Sequence, residues 1–575
     1  MSSNFDYAIV GGGSAGAVLA NRLSAQPDNR VVLIEAGPDT PPDEMPPEIL
    51  DAFPSVAYFK TDWHWRDLRV HYEKLTVNEP QAFVPRRYEQ ARIMGGGSSI
   101  NGMMAIRGLP WDFAEWVRRG ARGWSFEDVL PYYLRCERDL DYDGPLHGDD
   151  GPLPIRRIRE PDWPGFARAA RLAMLEQGHA ELADHNAEFD DGHFPMAINN
   201  APGNQRDGHR VSTALAYLDA ATRNRANLEI RARTLAESIA VEGGRAVGVR
   251  VRRGNESQIV NAREIVLCAG AFHSPAMLMR SGVGPGPHLR ELRVPVHADR
   301  PGVGRGLQDH PMVTLVAHIR RPVRMPASMR RHIHLGLRYS SGHDGCPRGD
   351  MFMLANNRGG WHPLGHLLGA IIVCVNKPFS EGRLELRDPS PGSEPLIYFN
   401  QFGDERDLDR LVQALRRAYA LTSNRAIRNC TYGWFPSTFS EQARDLALVS
   451  PWNWLKTSLA ALALDAALTR KTMMRRFMSP GVDIHRLIED ERALREWVHK
   501  HACGSWHASA TCRMGARNDP LAVVDPRCSV IGLDGLRVVD ASIMPCIVSA
   551  NTNLTTIMIA EKAADTILED ARRGG

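Results

Sequence analysis

The sequence has no long uninterrupted hydrophobic run. Its longest stretch without a charged residue, 541–560, contains Pro545, Asn551 and Asn553 together with several serines and threonines. A helix that spans a bilayer needs about 20 mainly apolar residues, so we expect no membrane span. We also expect no signal peptide, because the first apolar strand begins near Phe5 and leaves no space for a charged leader and a cleavage site.

The sequence also has few cysteines and a small net charge. The 575 residues include nine cysteines and no Cys-x-x-Cys pair, which is typical of reduced thiols in a cytoplasmic protein. Cys503, His507 and Cys512 do not have a familiar zinc spacing, and we expect no metal site. The formal charge of +3 is too small to indicate a nucleic-acid partner.

A glycine-rich turn lies near the start of the chain. An apolar run at 5–10 leads into Gly11, Gly13 and Gly16, a helical segment follows, and a second apolar run at 31–34 ends at Glu35. In such a unit the first glycine permits the turn, the second lets backbone approach a pyrophosphate, and the third lets the helix pack on the strand. Glu35 is placed to accept hydrogen bonds from ribose hydroxyls. The sequence therefore predicts a dinucleotide site, which by itself does not separate FAD from NAD.

A second glycine cluster follows at 95–97, before Ser98, Ser99 and Asn101. A simple nicotinamide-binding domain does not need such a loop. Three consecutive glycines followed by hydroxyls indicate backbone packed against a flat ligand.

Together with later motifs, these loops resemble the glucose–methanol–choline (GMC) oxidoreductases. The motifs occur in the family order from residue 5 to about 568, and cover the segments 92–103, 270–284, 301–310, 506–515, 540–545 and 550–553. Within the family, the sequence resembles most the bacterial aryl-alcohol and hydroxymethylfurfural oxidases, through Tyr88-Glu-Gln, Val375-Asn-Lys-Pro and the Trp506-His507 pair.

The resemblance implies an α/β fold, α+β overall, with two domains. A Rossmann-like FAD-binding domain would comprise 1–155, 225–315 and 500–575. A substrate domain of antiparallel sheet backed by helices would comprise 156–224 and 316–499. Within it, 383–387 alternates as a strand does, and 404–421 has helical spacing. The region 321–360 is expected to be rich in loops, and 456–468 to form a buried helix or lid rather than a membrane-surface contact.

The resemblance also implies the site residues. His507 corresponds to the catalytic base of the family, and Asn551 to a second group at the substrate oxygen; a helix cap is the alternative for Asn551. Trp506 and Val375 would line the substrate pocket, whereas His273 and His310 are expected to be ordinary surface or core residues. The expected FAD-binding residues are Gly11, Gly13, Ser14, Ala15, Gly16, Glu35, Ala36, Arg92, Gly97, Ser98, Asn101, Gly102, Met103, Ala236, Asp540, Ala541 and Thr552.

The predicted activity is oxidation of a primary, aromatic or furanic alcohol to the aldehyde. Ile100 stands where members with covalent flavin carry a histidine, so non-covalent FAD is expected. The electron acceptor stays open between oxygen and a quinone or cytochrome. Alternatives are a hydroxynitrile lyase, an alcohol dehydrogenase for aliphatic or polyol substrates, and a flavin-carrying binding protein. A light-driven decarboxylase is disfavoured, because that branch is expected to lack the catalytic histidine.

Overall fold

In the computed structural model, the first sheet is built around the glycine-rich turn. The structure describes residues 5–72, 85–201, 208–437 and 439–574. The parallel strands are, in spatial order, Leu228–Arg231, Val31–Ile34, Phe5–Val10, Glu256–Leu267 and Leu536–Val538. Arg245–Arg253 and Leu235–Glu242 continue the sheet in antiparallel order from the first half of Glu256–Leu267. Val31–Ile34 is wholly buried, as expected for parallel strands covered on both faces.

The turn at Gly11 connects the first strand to the helix Ser14–Ser24. Gly11 has φ of +104°, a conformation that residues with a side chain rarely adopt. A Cβ atom at Gly16 would lie 1.8 Å from the carbonyl oxygen of Gly11, so only glycine lets the helix begin this close to the strand. The helix Thr552–Gly574 packs beside it, and the Ser14 hydroxyl donates to Asn553 Oδ1 over 2.7 Å.

The second sheet is antiparallel throughout. Its strands are, in spatial order, Thr431–Ser437, Pro311–Ile319, Leu368–Val375, Met351–Asn356, Ile333–Tyr339 and Gly192–Pro195, and Cys503–Gly504 also pairs with Pro311–Ile319. One face packs in a common core with the helices Gly165–Glu176, Glu405–Leu421 and Glu491–His501. This confirms the predicted antiparallel sheet backed by helices. The remaining helices of seven or more residues among those described are Pro110–Arg118, Phe126–Cys136, Gly270–Arg280, Glu441–Ala447, Pro451–Asp465 and Ala467–Met473.

Three local predictions agree with the structure, although the third did not include two strands. Gly382–Glu385 is a strand, and Glu405–Leu421 is a helix whose cap residue Asp404 accepts the Arg406 amide. The region 321–360 is rich in loops, as predicted, but it also contains two strands of the second sheet, Ile333–Tyr339 and Met351–Asn356, which the prediction did not name. Nearly all of its glycines, prolines and arginines lie outside these two strands, so the composition of the whole region did not reveal the strands.

The strand membership supports the proposed division into two domains without fixing its boundaries. The first sheet draws only on the pieces assigned to the FAD-binding domain. The strand Pro311–Ile319 crosses the proposed boundary at 315, and Cys503–Gly504 joins the second sheet although it lies in an FAD-binding piece. The division stays a prediction.

The apolar segment predicted at 456–468 lies in the helices Pro451–Asp465 and Ala467–Met473. Leu464 is buried, but Leu459, Leu462 and Leu468 are exposed, so the prediction of a buried helix is wrong for this face. Within the described residues, no helix is both long enough and apolar enough to cross a bilayer.

Candidate active site

A cavity of about 900 Å³ lies between the two sheets and reaches from the glycine-rich turn to His507. This volume is at the upper end of those that hold drug-sized ligands or cofactors. Residues from both sheets line it, so the site forms only when the two sheets pack together.

Most of the predicted site residues line this cavity. They are Gly11, Gly13, Ser14, Ala15, Glu35, Ala36, Arg92, Gly97, Asn101, Gly102, Met103, Ala236, Trp506, His507, Asp540, Ala541, Asn551 and Thr552. Gly16 and Ser98 lie behind the lining and shape it. Ser98 is buried and donates to the carbonyl oxygen of Gly95 over 2.6 Å, which fixes the second glycine loop.

Val375 does not line the cavity. It is fully buried in the core between the second sheet and its helices. Consecutive side chains of a strand point to opposite faces, and the neighbours Cys374 and Asn376 are the residues that reach the cavity. The prediction selected the right segment but the wrong face of the strand.

The nucleotide end of the cavity fits a ligand held against backbone. A Cβ atom at Gly13 would meet no atom closer than 3.8 Å, and one at Gly97 would meet none within 4 Å, so both glycines border open space. Arg92 offers a buried Nε atom without a hydrogen-bond partner among the described residues. Bare glycine backbone and a guanidinium group together suit a phosphate-containing dinucleotide.

Glu35 ends the second strand and faces this space. Its Oε2 accepts the Gly12 amide over 2.8 Å, and its Oε1 accepts the Gly37 amide over 2.7 Å. Burial raises the pKa of the carboxyl, and the two amide hydrogen bonds oppose that rise. Each oxygen keeps a second lone pair for a ligand hydroxyl, so Glu35 both fixes the loop and remains available to a ribose.

Asp540 also links backbone and side chains beside the cavity, just after the parallel strand Leu536–Val538. Its Oδ2 accepts the Gly270 amide and the Ser274 hydroxyl, and its Oδ1 accepts the Ser542 amide. The carboxylate therefore joins the family motif at 270 to the motif at 540, beside the cavity.

His507 lies on a turn with an unusual backbone. The preceding residue, Trp506, has φ of +59°, a left-handed conformation that costs a bulky residue about 1–3 kcal/mol. The buried carboxylate of Asp309 holds this turn, because its Oδ1 accepts the amides of His507, His310 and Ser505 over 2.9, 2.8 and 3.2 Å. Burial raises the pKa of Asp309 to about 7, against the effect of these amides.

A hydrogen-bonded chain determines which nitrogen of His507 carries the proton. Val548 presents a carbonyl oxygen 3.0 Å from His310 Nε2, and His310 Nδ1 lies 2.9 Å from His507 Nδ1. A carbonyl only accepts, so Nε2 of neutral His310 carries the proton and its Nδ1 accepts from His507 Nδ1–H. Nε2 of neutral His507 is then unprotonated, and the Asn551 side-chain amide lies 2.9 Å from it.

Both histidines are neutral near pH 7. Burial lowers the pKa of His507 to about 4. Burial, together with the adjacent His507, lowers the pKa of His310 well below its ordinary value. The arrangement can therefore take up a proton at His507 Nε2, beside the Asn551 amide, which donates to Nε2 in this structure and is able to donate to an oxygen.

A polar and aromatic cluster supports the side chain of Trp506. Glu89 Oε2 accepts from the indole N–H over 2.9 Å and from the Tyr58 hydroxyl over 3.0 Å, while Glu89 Oε1 pairs with Arg444 at 3.0 Å. Phe439 packs edge-on to the indole at 5.3 Å. This cluster gives one end of the cavity a rigid aromatic wall.

A buried lysine organises the segment that carries the Val548 carbonyl. Lys377 Nζ pairs with Asp112 at 3.0 Å and donates to the Ile547 carbonyl over 2.7 Å. Asp112 also accepts the amide and the hydroxyl of Ser549. These contacts pin residues 547–549 in the orientation that His310 requires.

Sequence reasoning missed His310, Asp309, Glu89 and Lys377. Each belongs to a segment that the family resemblance had marked, and an acid or base inside such a segment was the only available signal. Only the structure identifies these four residues as parts of the site, because it shows their contacts with His507, Trp506 or the 547–549 segment.

Comparisons with known proteins agree with this geometry. Two family models, both described as GMC oxidoreductase, match residues 5–312 and 378–560. A 5-(hydroxymethyl)furfural oxidase of Methylovorus sp. (strain MP688) is 42% identical over 99% of both chains. An oxygen-dependent choline dehydrogenase of Pseudomonas aeruginosa (strain LESB58) is 35% identical over 99% of this chain and 95% of its own.

A solved structure has the same fold. The pyridoxine 4-oxidase of "Mesorbium loti" superposes with a TM-score of 0.81 at 27% identity, and the match covers 98% of this chain and 99% of that one. GMC oxidoreductases bind FAD, and the residues that line the nucleotide end of the cavity fit that cofactor. The chain therefore belongs to the GMC oxidoreductase family and is an FAD-dependent alcohol oxidase or dehydrogenase.

Proposed function

We propose that the protein oxidises a primary aromatic or furanic alcohol to the aldehyde, with His507 as the base. The observation that carries this proposal is the chain from Val548 through His310 to His507, which leaves His507 Nε2 unprotonated toward the cavity. Bound FAD supplies the acceptor for the hydride of the alcohol carbon.

His507 and Asn551 have separate roles at the substrate hydroxyl. His507 Nε2 takes the hydroxyl proton, which makes the C–H bond a better hydride donor. The Asn551 amide donates a hydrogen bond to the developing alkoxide, a role supported by its 2.9 Å distance from His507 Nε2. Asn551 directly precedes the helix Thr552–Gly574, which fixes the direction of its side chain.

The cavity wall supports a flat, apolar ring as the substrate. Ile333, Phe352, Leu354 and Ile372 of the second sheet line the cavity, and Trp506 closes it from another side. The 5-(hydroxymethyl)furfural oxidase that this chain resembles is named for an alcohol on a furan ring.

We further propose that FAD is bound non-covalently and that oxygen reoxidises it. Ile100, which lines the cavity before Asn101, has no group able to form a bond to flavin. Both curated relatives described above carry oxygen or oxidase in their names. Acid precipitation should release all flavin into the supernatant; flavin that stays in the pellet would contradict non-covalent binding.

The experiment that tests the function is a visible spectrum recorded before and after anaerobic addition of benzyl alcohol or hydroxymethylfurfuryl alcohol. Bleaching of the flavin band supports alcohol oxidation, and rapid recovery in air supports an oxidase. Slow recovery would favour a quinone or cytochrome acceptor. A yellow protein that never bleaches with either alcohol would contradict the proposed substrate class.

We predict that His310→Ala slows flavin reduction roughly 100-fold, at the low end of the range for impaired general-base catalysis. Without His310 as acceptor, His507 is no longer held in the tautomer with an unprotonated Nε2. His310→Gln keeps an acceptor for the Nδ1–H and should recover part of the rate.

The pH profile separates this positioning role from a merely structural one. In the wild type, with the pKa of His507 at about 4, protonation of His507 should not slow reduction between pH 8 and pH 6. In His310→Ala the opened space admits water, the pKa of His507 rises, and the rate should fall toward pH 6. Equal profiles for the two proteins would argue against the positioning role.

Glu35→Ala should weaken FAD binding roughly 10- to 100-fold, since a hydrogen bond to a charged group contributes about 1.5–3 kcal/mol. The variant also frees the Gly12 and Gly37 amides. The flavin-to-protein absorbance ratio after dialysis measures the effect. Glu229→Ala, on the neighbouring strand and outside the cavity, is the matched control, and full flavin occupancy in Glu35→Ala would refute the assignment.

A further inference from the structure

The exposed apolar side chains of this protein are concentrated in one short stretch. Of the sixteen large apolar side chains that are exposed in the described part of the chain, seven lie between residues 452 and 477. Leu468 is 97% exposed, Leu462 69% and Phe477 68%. Scattered exposed apolar residues are normal, but such a concentration marks an interaction surface.

In the helix Pro451–Asp465 the face exposed to solvent is more apolar than the buried face. Its exposed stripe is Trp452, Leu455, Leu459 and Leu462. Its buried side is Asn453, Thr457, Ala461 and Leu464. Spacings of three and four residues place each set on one face of the helix, so the outer face is the more apolar of the two.

Basic residues accompany the apolar stripe. Residues 451–478 contain five cationic side chains, Lys456, Arg470, Lys471, Arg475 and Arg476. The one carboxylate in this stretch is Asp465, and it already pairs with Arg321 and Arg324. Lys456 lies 5.3 Å from the centre of the Trp452 ring, so cation and indole share the exposed side of the helix.

We infer that residues 451–478 dock the protein peripherally on an anionic lipid surface. Tryptophan and leucine side chains insert at the boundary between headgroups and acyl chains, while lysine and arginine contact the lipid phosphates. The cytoplasmic leaflet has a negative surface potential that attracts such residues, and nine free cysteines fit a protein of that compartment.

The charges argue against a second copy of the chain as the occupant. A symmetric dimer through this face would bring the same cations of both copies together, and the stretch offers no free carboxylate to neutralise them. An anionic bilayer instead satisfies the apolar stripe and the cations at once.

The test is flotation of the FAD-loaded protein with vesicles at 50 mM NaCl. One set contains only phosphatidylcholine, and the other contains phosphatidylcholine and phosphatidylglycerol at 7:3. The variants are Leu459→Ser/Leu462→Ser for the apolar stripe and Lys471→Glu/Arg475→Glu/Arg476→Glu for the charge. Leu172→Ser/Leu175→Ser, an exposed pair on another helix, is the matched control.

The wild type and the control should float with anionic vesicles and not with neutral ones, and 500 mM NaCl should release them. Both test variants should lower the bound-to-free ratio about tenfold or more, with unchanged flavin reduction by alcohol. The proposal fails if the wild type does not float at low salt, or if the control loses as much binding. It also fails if the leucine variant converts a dimer to a monomer in sedimentation without vesicles, which would assign the face to a second copy.

Discussion

Replacing His507 with alanine should slow the reduction of bound flavin by benzyl alcohol about 10²- to 10⁴-fold, the range for loss of a general base. The effect follows from the geometry, because His507 Nε2 is the unprotonated nitrogen at the end of the chain from Val548. Without it, the hydroxyl proton loses this acceptor, and the alcohol carbon must release hydride with its hydroxyl less deprotonated. The residues that hold the nucleotide are untouched, so flavin should stay bound.

Anaerobic stopped-flow absorbance of the flavin band measures this rate directly. His499→Ala, at an exposed histidine eight residues earlier, controls for loss of an imidazole in the same segment and should reduce at the wild-type rate. Asn551→Ala should slow reduction less, since it removes a hydrogen bond to the alkoxide but not the proton acceptor. Reduction of His507→Ala at near the wild-type rate, with full flavin content, would show that another group is the base.

Lowering the pH from 7 to 5 should destabilise the folded protein by several kcal/mol. Thirteen histidines have a pKa below the ordinary value, with burial as the largest cause in each: His64, His71, His179, His185, His193, His310, His318, His332, His334, His362, His366, His501 and His507. A whole domain is normally stable by only about 5–15 kcal/mol.

The direction follows from proton binding. Well above pH 6.5 both states hold these imidazoles neutral, and stability does not depend on them. Between pH 6.5 and about 4 the unfolded chain protonates its histidines, while the six with a folded pKa of about 4 stay neutral in the folded protein, so stability falls as the pH falls. These six are His64, His193, His318, His362, His366 and His507. Each such histidine contributes a slope of about 1.4 kcal/mol per pH unit.

Urea midpoints of the FAD-loaded protein at pH 7, 6 and 5 measure the slope. His185→Phe should make it shallower by about one proton. Neither ring nitrogen of His185 has a hydrogen-bond partner among the described residues, and its ring stacks on Phe194 at 4.1 Å, so phenylalanine keeps the packing. His499→Phe, at an exposed site, should leave the slope unchanged. A midpoint that does not move from pH 7 to pH 5 would contradict the prediction.

The parts of the site whose geometry is set by residues close together in the sequence could be predicted. The turn at Gly11 and the acid at Glu35 belong to one strand–turn–helix–strand unit, whose geometry is set by spacing along the chain. His507 and Asn551 were found because their surroundings resemble a family, and the structure places them 2.9 Å apart.

The parts that depend on distant contacts could not be predicted. His310 lies 197 residues from His507, and no local pattern separates it from a histidine of the core. The side-chain direction of Val375 also depends on distant contacts and could not be predicted. The sequence identifies an apolar strand, but which alternate side chains face the cavity depends on the sheet and helices packed around it.

The packing of the helix Thr552–Gly574 against Ser14–Ser24 has a consequence for the order of events during synthesis. The contact between Ser14 and Asn553 spans 539 residues, and Asn551 is translated immediately before that helix. The nucleotide turn at Gly11 precedes this helix by more than 500 residues, and the proton-transfer site stays incomplete until the helix has left the ribosome and docked. A nascent chain can thus acquire its cofactor pocket in stages, yet it cannot react with alcohol by this route before translation has passed residue 551.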